Sequence, residues 1–195
     1  MQNKTKNLFQ NAFNLPNFLS FIRLLLAIPL YIYLPQLYSL SYSRYIIIGL
    51  VFFAFLTDIL DGYFARKMNL VTEFGKIIDP LADKILVVLI VVELYLIGEI
   101  PSIYLWIIVL RDVIIFSGGF ALSKKIGRVL PSNLLGKITV FLICLYILSI
   151  LIGLDATNFF YRFFFYISII SSFASIIAYA LRAYETLRWE SDEHS

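Results

Sequence analysis

The sequence is poor in charge, histidine and cysteine. Only 15% of its 195 residues are Asp, Glu, Lys or Arg, whereas 61% are hydrophobic. A soluble domain rarely exceeds about half apolar residues, because its surface must be wetted. A mean hydropathy of +0.86 therefore excludes an ordinary soluble globule. The single cysteine, Cys144, has no partner in the chain, so an intrachain disulfide is excluded and a small packing residue is expected. The single histidine, His194, lies in a polar tail and is a poor catalytic or metal-binding candidate. What remains is apolar sequence of about the length that six membrane helices with short loops require. This predicts one membrane domain over residues 1–189 followed by a solvated tail over 190–195.

The predicted fold is all-α, a polytopic membrane bundle of six transmembrane helices with a short N-terminal interfacial helix. The spans fall at about 17–36, 43–64, 80–98, 101–122, 134–153 and 159–183. Pro101 suits a first helical turn, and Pro131-Ser132-Asn133 supplies a stop and an N-cap for the fifth span. Leu8, Phe9 and Phe13 give residues 3–14 one apolar face for the membrane interface. The first fifteen residues do not resemble the start of a cleavable signal peptide: the apolar run after them is too long and carries Arg23 and Pro29. Thirteen of the sixteen Lys and Arg residues gather on one side of this topology, against Arg44 and Arg162 on the other. That asymmetry predicts cytoplasmic termini. Tyr31, Tyr33, Tyr38, Phe159, Phe160 and Tyr161 fall near span ends, as in an interfacial aromatic belt.

Acid is scarce as well, which makes its distribution informative. Four of the thirteen acidic residues, Asp58, Asp61, Asp79 and Asp83, straddle the second and third spans. Asp58 and Asp61 are three apart and share one helix face; Asp79 and Asp83 are four apart and share another. A carboxylate at mid-membrane costs roughly 2.5–3.5 kcal/mol, so the group requires compensation. Two divalent cations, liganded by carboxylate oxygens, match its four negative charges. Gly62 leaves room beside the carboxylates for a bulky ligand, and Arg66 offers a fork of donors suited to phosphate. Gly75 is expected to open the loop before the second acidic pair.

These residues spell D-x2-D-G-x2-A-R-x8-G-x3-D-x3-D, and the pattern resembles the signature of the CDP-alcohol phosphatidyltransferases with every fixed position filled. The segment from Asn14 to Arg23 resembles the start of that family's first helix, Arg111-Asp112 a basic-acidic pair in its fourth, and Leu135-Gly136-Lys137 the opening of its fifth. The resemblance implies two Mg²⁺ or Mn²⁺ ions. Asp58 and Asp79 would bind both, Asp61 would complete the first site and Asp83 the second. It also implies that Asp83 is the general base, and that Asn17, Ser20, Gly62, Arg66, Thr72 and Gly75 contact the donor, CDP-diacylglycerol. The implied setting is a bacterial cytoplasmic membrane with the active site on its cytoplasmic side. A homodimer, and no nucleic-acid partner, complete that reading.

Arg111, an ionisable residue within a span, is by default a functional candidate, and Lys137 and Arg182 stand at the start of the fifth span and the end of the sixth; the resemblance implies that basic residues at such positions line the acceptor pocket. Asp112 points about 100° away from Arg111 around the helix, so a direct pair between these neighbours is not expected. Three converging cations favour a phosphorylated alcohol such as glycerol 3-phosphate, giving phosphatidylglycerophosphate. Arg-Asp with a Pro-Ser segment before Gly-Lys also resembles CMP-forming cardiolipin synthases, whose acceptor is phosphatidylglycerol. A small membrane cation transporter is the alternative of another class. It would spread acids through the bilayer or repeat them in both halves, and residues 101–195 hold no second copy of the motif.

Overall fold

Asn14 starts the first helix by accepting the Asn17 backbone N–H on its side-chain oxygen at 3.0 Å. In the computed structural model described here, residues 14–40, 42–68, 75–126 and 134–193 are covered. Helix α1 (Leu15–Leu25) gives way at Leu26 to α2 (Ala27–Tyr33), which ends in a 3-10 helix, Leu34–Gln36. The break lies where the ring of Pro29 crowds the Leu25 carbonyl and supplies no N–H to it. Helices α3 (Ser43–Lys67) and α4 (Gly75–Leu96) complete a first unit, Met1–Glu99. Within it α1 and α2 each pack on both α3 and α4. Ile47, Ala54, Thr57 and Asp61 form one buried stripe on α3, while Ala82, Leu86, Ile90 and Leu94 recur every fourth residue on α4.

A second unit, Ile100–Ser195, contains α5 (Ser102–Ile126), α6 (Leu134–Ile152) and α7 (Phe159–Glu193). Helix α7 packs on both of its companions. Two glycines make the turns possible. Gly98, at φ 85°, and Gly153, at φ 96°, occupy the left-handed region. Around each, paired bonds close the preceding helix: Glu99 N–H to Leu94 and Gly98 N–H to Tyr95, then Leu154 N–H to Ser149 and Gly153 N–H to Ile150. Asn158 then caps α7 by accepting the Phe160 N–H at 2.9 Å.

The chain is an integral membrane protein. Among the described residues, five stretches are long and apolar enough to cross a bilayer: Asn17–Gln36, Ser43–Phe64, Ser102–Gly119, Leu134–Ile152 and Phe159–Thr186. They coincide with five of the six expected spans, and the sixth, 80–98, falls on the 22-residue helix α4. Phe52, Phe55, Trp106, Phe116 and Phe173 are exposed on outward faces, which lipid rather than water would cover. Three local expectations shift. Gly75 is the first residue of α4 rather than a loop residue. Pro101 stands just ahead of α5, its carbonyl accepting from the Tyr104 and Leu105 N–H groups. Helix α7 continues to Glu193, into the expected tail. The expected interfacial helix over 3–14 (all but Asn14) and the Asn133 cap lie outside the described residues.

Candidate active site

Helix α1 turns its polar residues inward: Asn17, Ser20 and Arg23 are all at least nine-tenths buried. Their three-residue spacing keeps them near one face, and that face meets α3 and α4. Arg23 is the centre of the resulting cluster. Its Nη1 lies 3.1 Å from Asp58 Oδ1 and also binds Asp83, while its Nη2 binds Asp61. The Ser20 hydroxyl donates to Asp61 Oδ2 at 3.3 Å. Two helices thus bring three carboxylates to one guanidinium carried by a third. Asp61 is the innermost, with its side chain 6% exposed, whereas those of Asp58 and Asp83 are 49% and 45% exposed. The cluster is closed at Asp61 and open at the other two.

Burying charges costs several kcal/mol per ion unless attraction and hydrogen bonds offset it. The described ion pairs set one guanidinium among three carboxylates. The Arg23 Nε is buried without a hydrogen-bond partner, so even this cation is incompletely satisfied. Among the described residues no trio of acidic, histidine or cysteine side chains forms a ready-made metal site. The donor chemistry nevertheless fits divalent cations: hard carboxylate oxygens, in an arrangement already collected around a positive group. Asp79 lies on α4 one turn before Asp83, but its side chain is outside the described residues. So are that of Arg66 and the whole of Thr72. Gly62 is half-buried on α3, next to Asp61.

Arg23 is the residue that sequence reasoning missed. In the sequence it stands out as a basic residue of the first span and as the end of the segment that resembles the family's first helix, and neither feature names the partners that an arginine in apolar surroundings demands. Lys67, one of the cations near the aspartates in sequence, instead donates to the Tyr63 hydroxyl at 3.0 Å and lies 5.2 Å from that ring's centre.

The second unit holds a different cationic centre. Arg111 is buried, and each guanidinium nitrogen serves a different group. Nε donates to Ser175 Oγ at 3.2 Å, Nη1 to Asp112 Oδ1 at 2.6 Å, and Nη2 to the Gly136 carbonyl at 3.2 Å. The pair with Asp112 corrects the expectation from helix geometry, since the long arginine stem curls back to reach its neighbour. The Gly136 contact brings Arg111 beside Lys137, which is exposed. Arg182 lies seven residues beyond Ser175, about 10 Å further along the same face of α7, and is already engaged in interactions of its own. Arg111 and Lys137 are thus neighbours, while Arg182 stands two turns away.

Comparison with known proteins places relatives along most of the chain. The family model described as CDP-alcohol phosphatidyltransferase matches residues 13–181. A CDP-diacylglycerol–glycerol-3-phosphate 3-phosphatidyltransferase of Mycoplasma pneumoniae is 33% identical over 139 residues, covering 63% of this chain and 61% of that protein. The match thus spans about three fifths of the relative's length. A protein of the same description from Aquifex aeolicus is 36% identical over 140 residues, 70% of this chain and 75% of its own. A cardiolipin synthase (CMP-forming) / mitochondrial hydrolase fusion protein of Schizosaccharomyces pombe is 39% identical over 116 residues, 60% of this chain but 19% of its own. With the family model matching from the cap of α1 into α7, the chain belongs to the CDP-alcohol phosphatidyltransferase family.

Proposed function

We propose that this protein transfers the phosphatidyl group of CDP-diacylglycerol to glycerol 3-phosphate, releasing CMP and forming phosphatidylglycerophosphate. The observation that carries the reaction class is the gathering of Asp58, Asp61 and Asp83 from two helices around one cation, within a complete family signature. The choice of acceptor is supported by the relatives in Mycoplasma and Aquifex, which are described as using glycerol 3-phosphate.

In this reading Asp58, Asp61, Asp79 and Asp83 hold two divalent cations, Mg²⁺ or Mn²⁺. When bound, these ions would draw charge from the diphosphate and stabilise the departing CMP. The chain's own groups do the rest. Asn17, Ser20, Gly62, Arg66, Thr72 and Gly75 bind and orient the CDP portion of the donor. Asp83, half-exposed at the mouth of its cluster, takes the proton of the acceptor hydroxyl as that oxygen bonds to the phosphorus and the bond to CMP breaks. Arg111, Lys137 and Arg182 are the acceptor-side residues, with a charge suited to its phosphate. Residues 1–189 form one catalytic membrane domain with six spans, α4 supplying the sixth. The skew of basic residues supports cytoplasmic termini and a cytoplasmic active site. The family resemblance supports a homodimer.

A second reading, transfer to phosphatidylglycerol, is favoured by the Arg111-Asp112 pair and by the cardiolipin synthase relative. An acceptor screen with labelled CDP-diacylglycerol separates the two. Glycerol 3-phosphate should give labelled product, and phosphatidylglycerol, serine and inositol phosphate should not. Product with phosphatidylglycerol alone reverses the order of the readings, and product with serine alone defeats both.

A further inference from the structure

Arg23 holds the aspartates that metal ions must also hold. Its guanidinium binds Asp58, Asp61 and Asp83 at once, from a position that is 2% exposed. Arg23 takes one oxygen of each carboxylate, and a divalent ion brought to the same carboxylates would repel its positive charge at close range. Resting on the reading of the four aspartates as a metal site, we propose that Arg23 is a built-in counter-cation that competes with the metals. In the metal-free protein it keeps the carboxylates together; when metal enters, it leaves them.

Three observations lead there. First, without a cation the three carboxylates would repel one another in a setting of low dielectric constant, where such repulsion is strong. Arg23 is the described cation paired with all three. Second, the match is imperfect, as expected of an arrangement that must also come apart. A single guanidinium is divided among three carboxylates, and its buried Nε has no partner. Third, two of the three carboxylates are about half-exposed, so an ion can approach from outside while Arg23 sits on the inner side. Released from the aspartates, Arg23 remains on the buried face of α1 that also carries Ser20, where its donors suit an anionic oxygen.

Competition has a quantitative consequence. A ligand binds more weakly to a protein whose competent state is only partly populated, and removing the competing state restores the intrinsic affinity. Removing the arginine therefore strengthens metal binding, whereas removing a residue that merely supports the loaded site weakens it.

The test is Mn²⁺ binding to the purified full chain in detergent, followed by electron paramagnetic resonance without substrates, in the wild type, Arg23→Gln and Arg23→Lys. Melting temperatures are taken with EDTA and with Mn²⁺. Arg23→Gln is expected to bind Mn²⁺ about tenfold more tightly, about 1.4 kcal/mol. It should melt lower than wild type in EDTA and gain more from Mn²⁺. Arg23→Lys, which keeps a charge but loses the fork, should fall between. Folding of Arg23→Gln only when Mn²⁺ is present also supports the proposal. If it folds in neither condition, Arg23→Lys decides: tighter Mn²⁺ binding supports the competition, and equal or weaker binding overturns it. Wild-type binding that Arg23→Gln fails to strengthen overturns the proposal alone. No Mn²⁺ binding by any of the proteins overturns the metal-site reading and the proposal with it.

Discussion

Arg111 and Ser175 are 64 residues apart, and the same interval separates Tyr104 from Ser168. The Tyr104 and Ser168 hydroxyls lie 2.8 Å apart, and Arg111 Nε lies 3.2 Å from Ser175 Oγ. A constant offset over seven residues means that α5 and α7 run parallel, in a register set by polar contacts within apolar surroundings. Loss of one such bond is expected to cost about 0.5–1.5 kcal/mol. Tyr104→Phe and Ser175→Ala should each lower stability by that amount. The sites are two helical turns apart, so the double variant should be nearly additive. Thermal unfolding in detergent measures all three.

Arg111 and Lys137 are neighbours with different duties. Arg111 spends its donors on three helices, whereas Lys137 is exposed. Lys137→Ala should therefore raise KM for glycerol 3-phosphate about tenfold or more and leave the melting temperature within about 1 °C, as surface substitutions usually do. Arg111→Ala should lower both melting temperature and turnover. It removes the hydrogen bonds to Ser175, Asp112 and the Gly136 carbonyl, each worth about 0.5–1.5 kcal/mol, although the Ser175 hydroxyl keeps its bond to the Ser172 carbonyl. Steady-state kinetics alongside melting curves separate the two patterns.

Gly119 leaves space for Tyr179. A Cβ at 119 would stand 2.5 Å from the Tyr179 hydroxyl oxygen, and one at Gly118 would find only an ordinary 3.9 Å contact with the ring. Ala is favoured over Gly within a helix by about 0.8–1 kcal/mol, so Gly118→Ala should be neutral to stabilising, and Gly119→Ala should be less stable than Gly118→Ala because of the crowding at the Tyr179 hydroxyl. Tyr179→Phe removes the offending oxygen and leaves the next ring atom at 3.6 Å, so it should rescue Gly119→Ala. Melting curves of the single and double variants check this directly.

The loop after the first span carries a pH-sensitive contact. Partial burial, followed by a hydrogen bond to Glu99, pushes the Tyr38 phenol up from its ordinary 10.0 to about 12, and Arg44 lies 5.4 Å from the ring centre. Because the folded state favours the neutral phenol, this contribution is complete below about pH 10 and is lost as the pH rises through about 12. The phenolate absorbance present in wild type and missing in Tyr38→Phe should develop near pH 12. Glu99→Gln should move it back toward 10.

The helices and the aspartates were legible in the sequence because both signals are local. Runs of about 20 apolar residues mark spans whatever packs around them, and Asp58-Ile-Leu-Asp61 fixes a shared face by spacing alone. Gly98 and Gly153 fall where the chain turns, as the breaks in apolar sequence required. What escaped depends on contacts between helices. Arg66, Lys67, Lys76 and Lys84 are the cations nearest the aspartates in sequence, yet Arg23, 38 residues before Asp61, pairs with three of those aspartates. Side-chain length defeated the other inference. Adjacent residues on a helix diverge by about 100° at the Cβ, yet the arginine stem returns its Nη1 to within 2.6 Å of Asp112.

The central claim concerns what the aspartates do, and CMP release from CDP-diacylglycerol tests it most directly. Purified protein with Mg²⁺ and glycerol 3-phosphate should release CMP in step with phosphatidylglycerophosphate. The release should stop with EDTA and fall at least a hundredfold in Asp83→Asn, within the range expected for loss of a general base, with its melting temperature and donor binding retained. CMP release that persists undiminished in EDTA, or near-normal turnover by Asp83→Asn, would contradict the account.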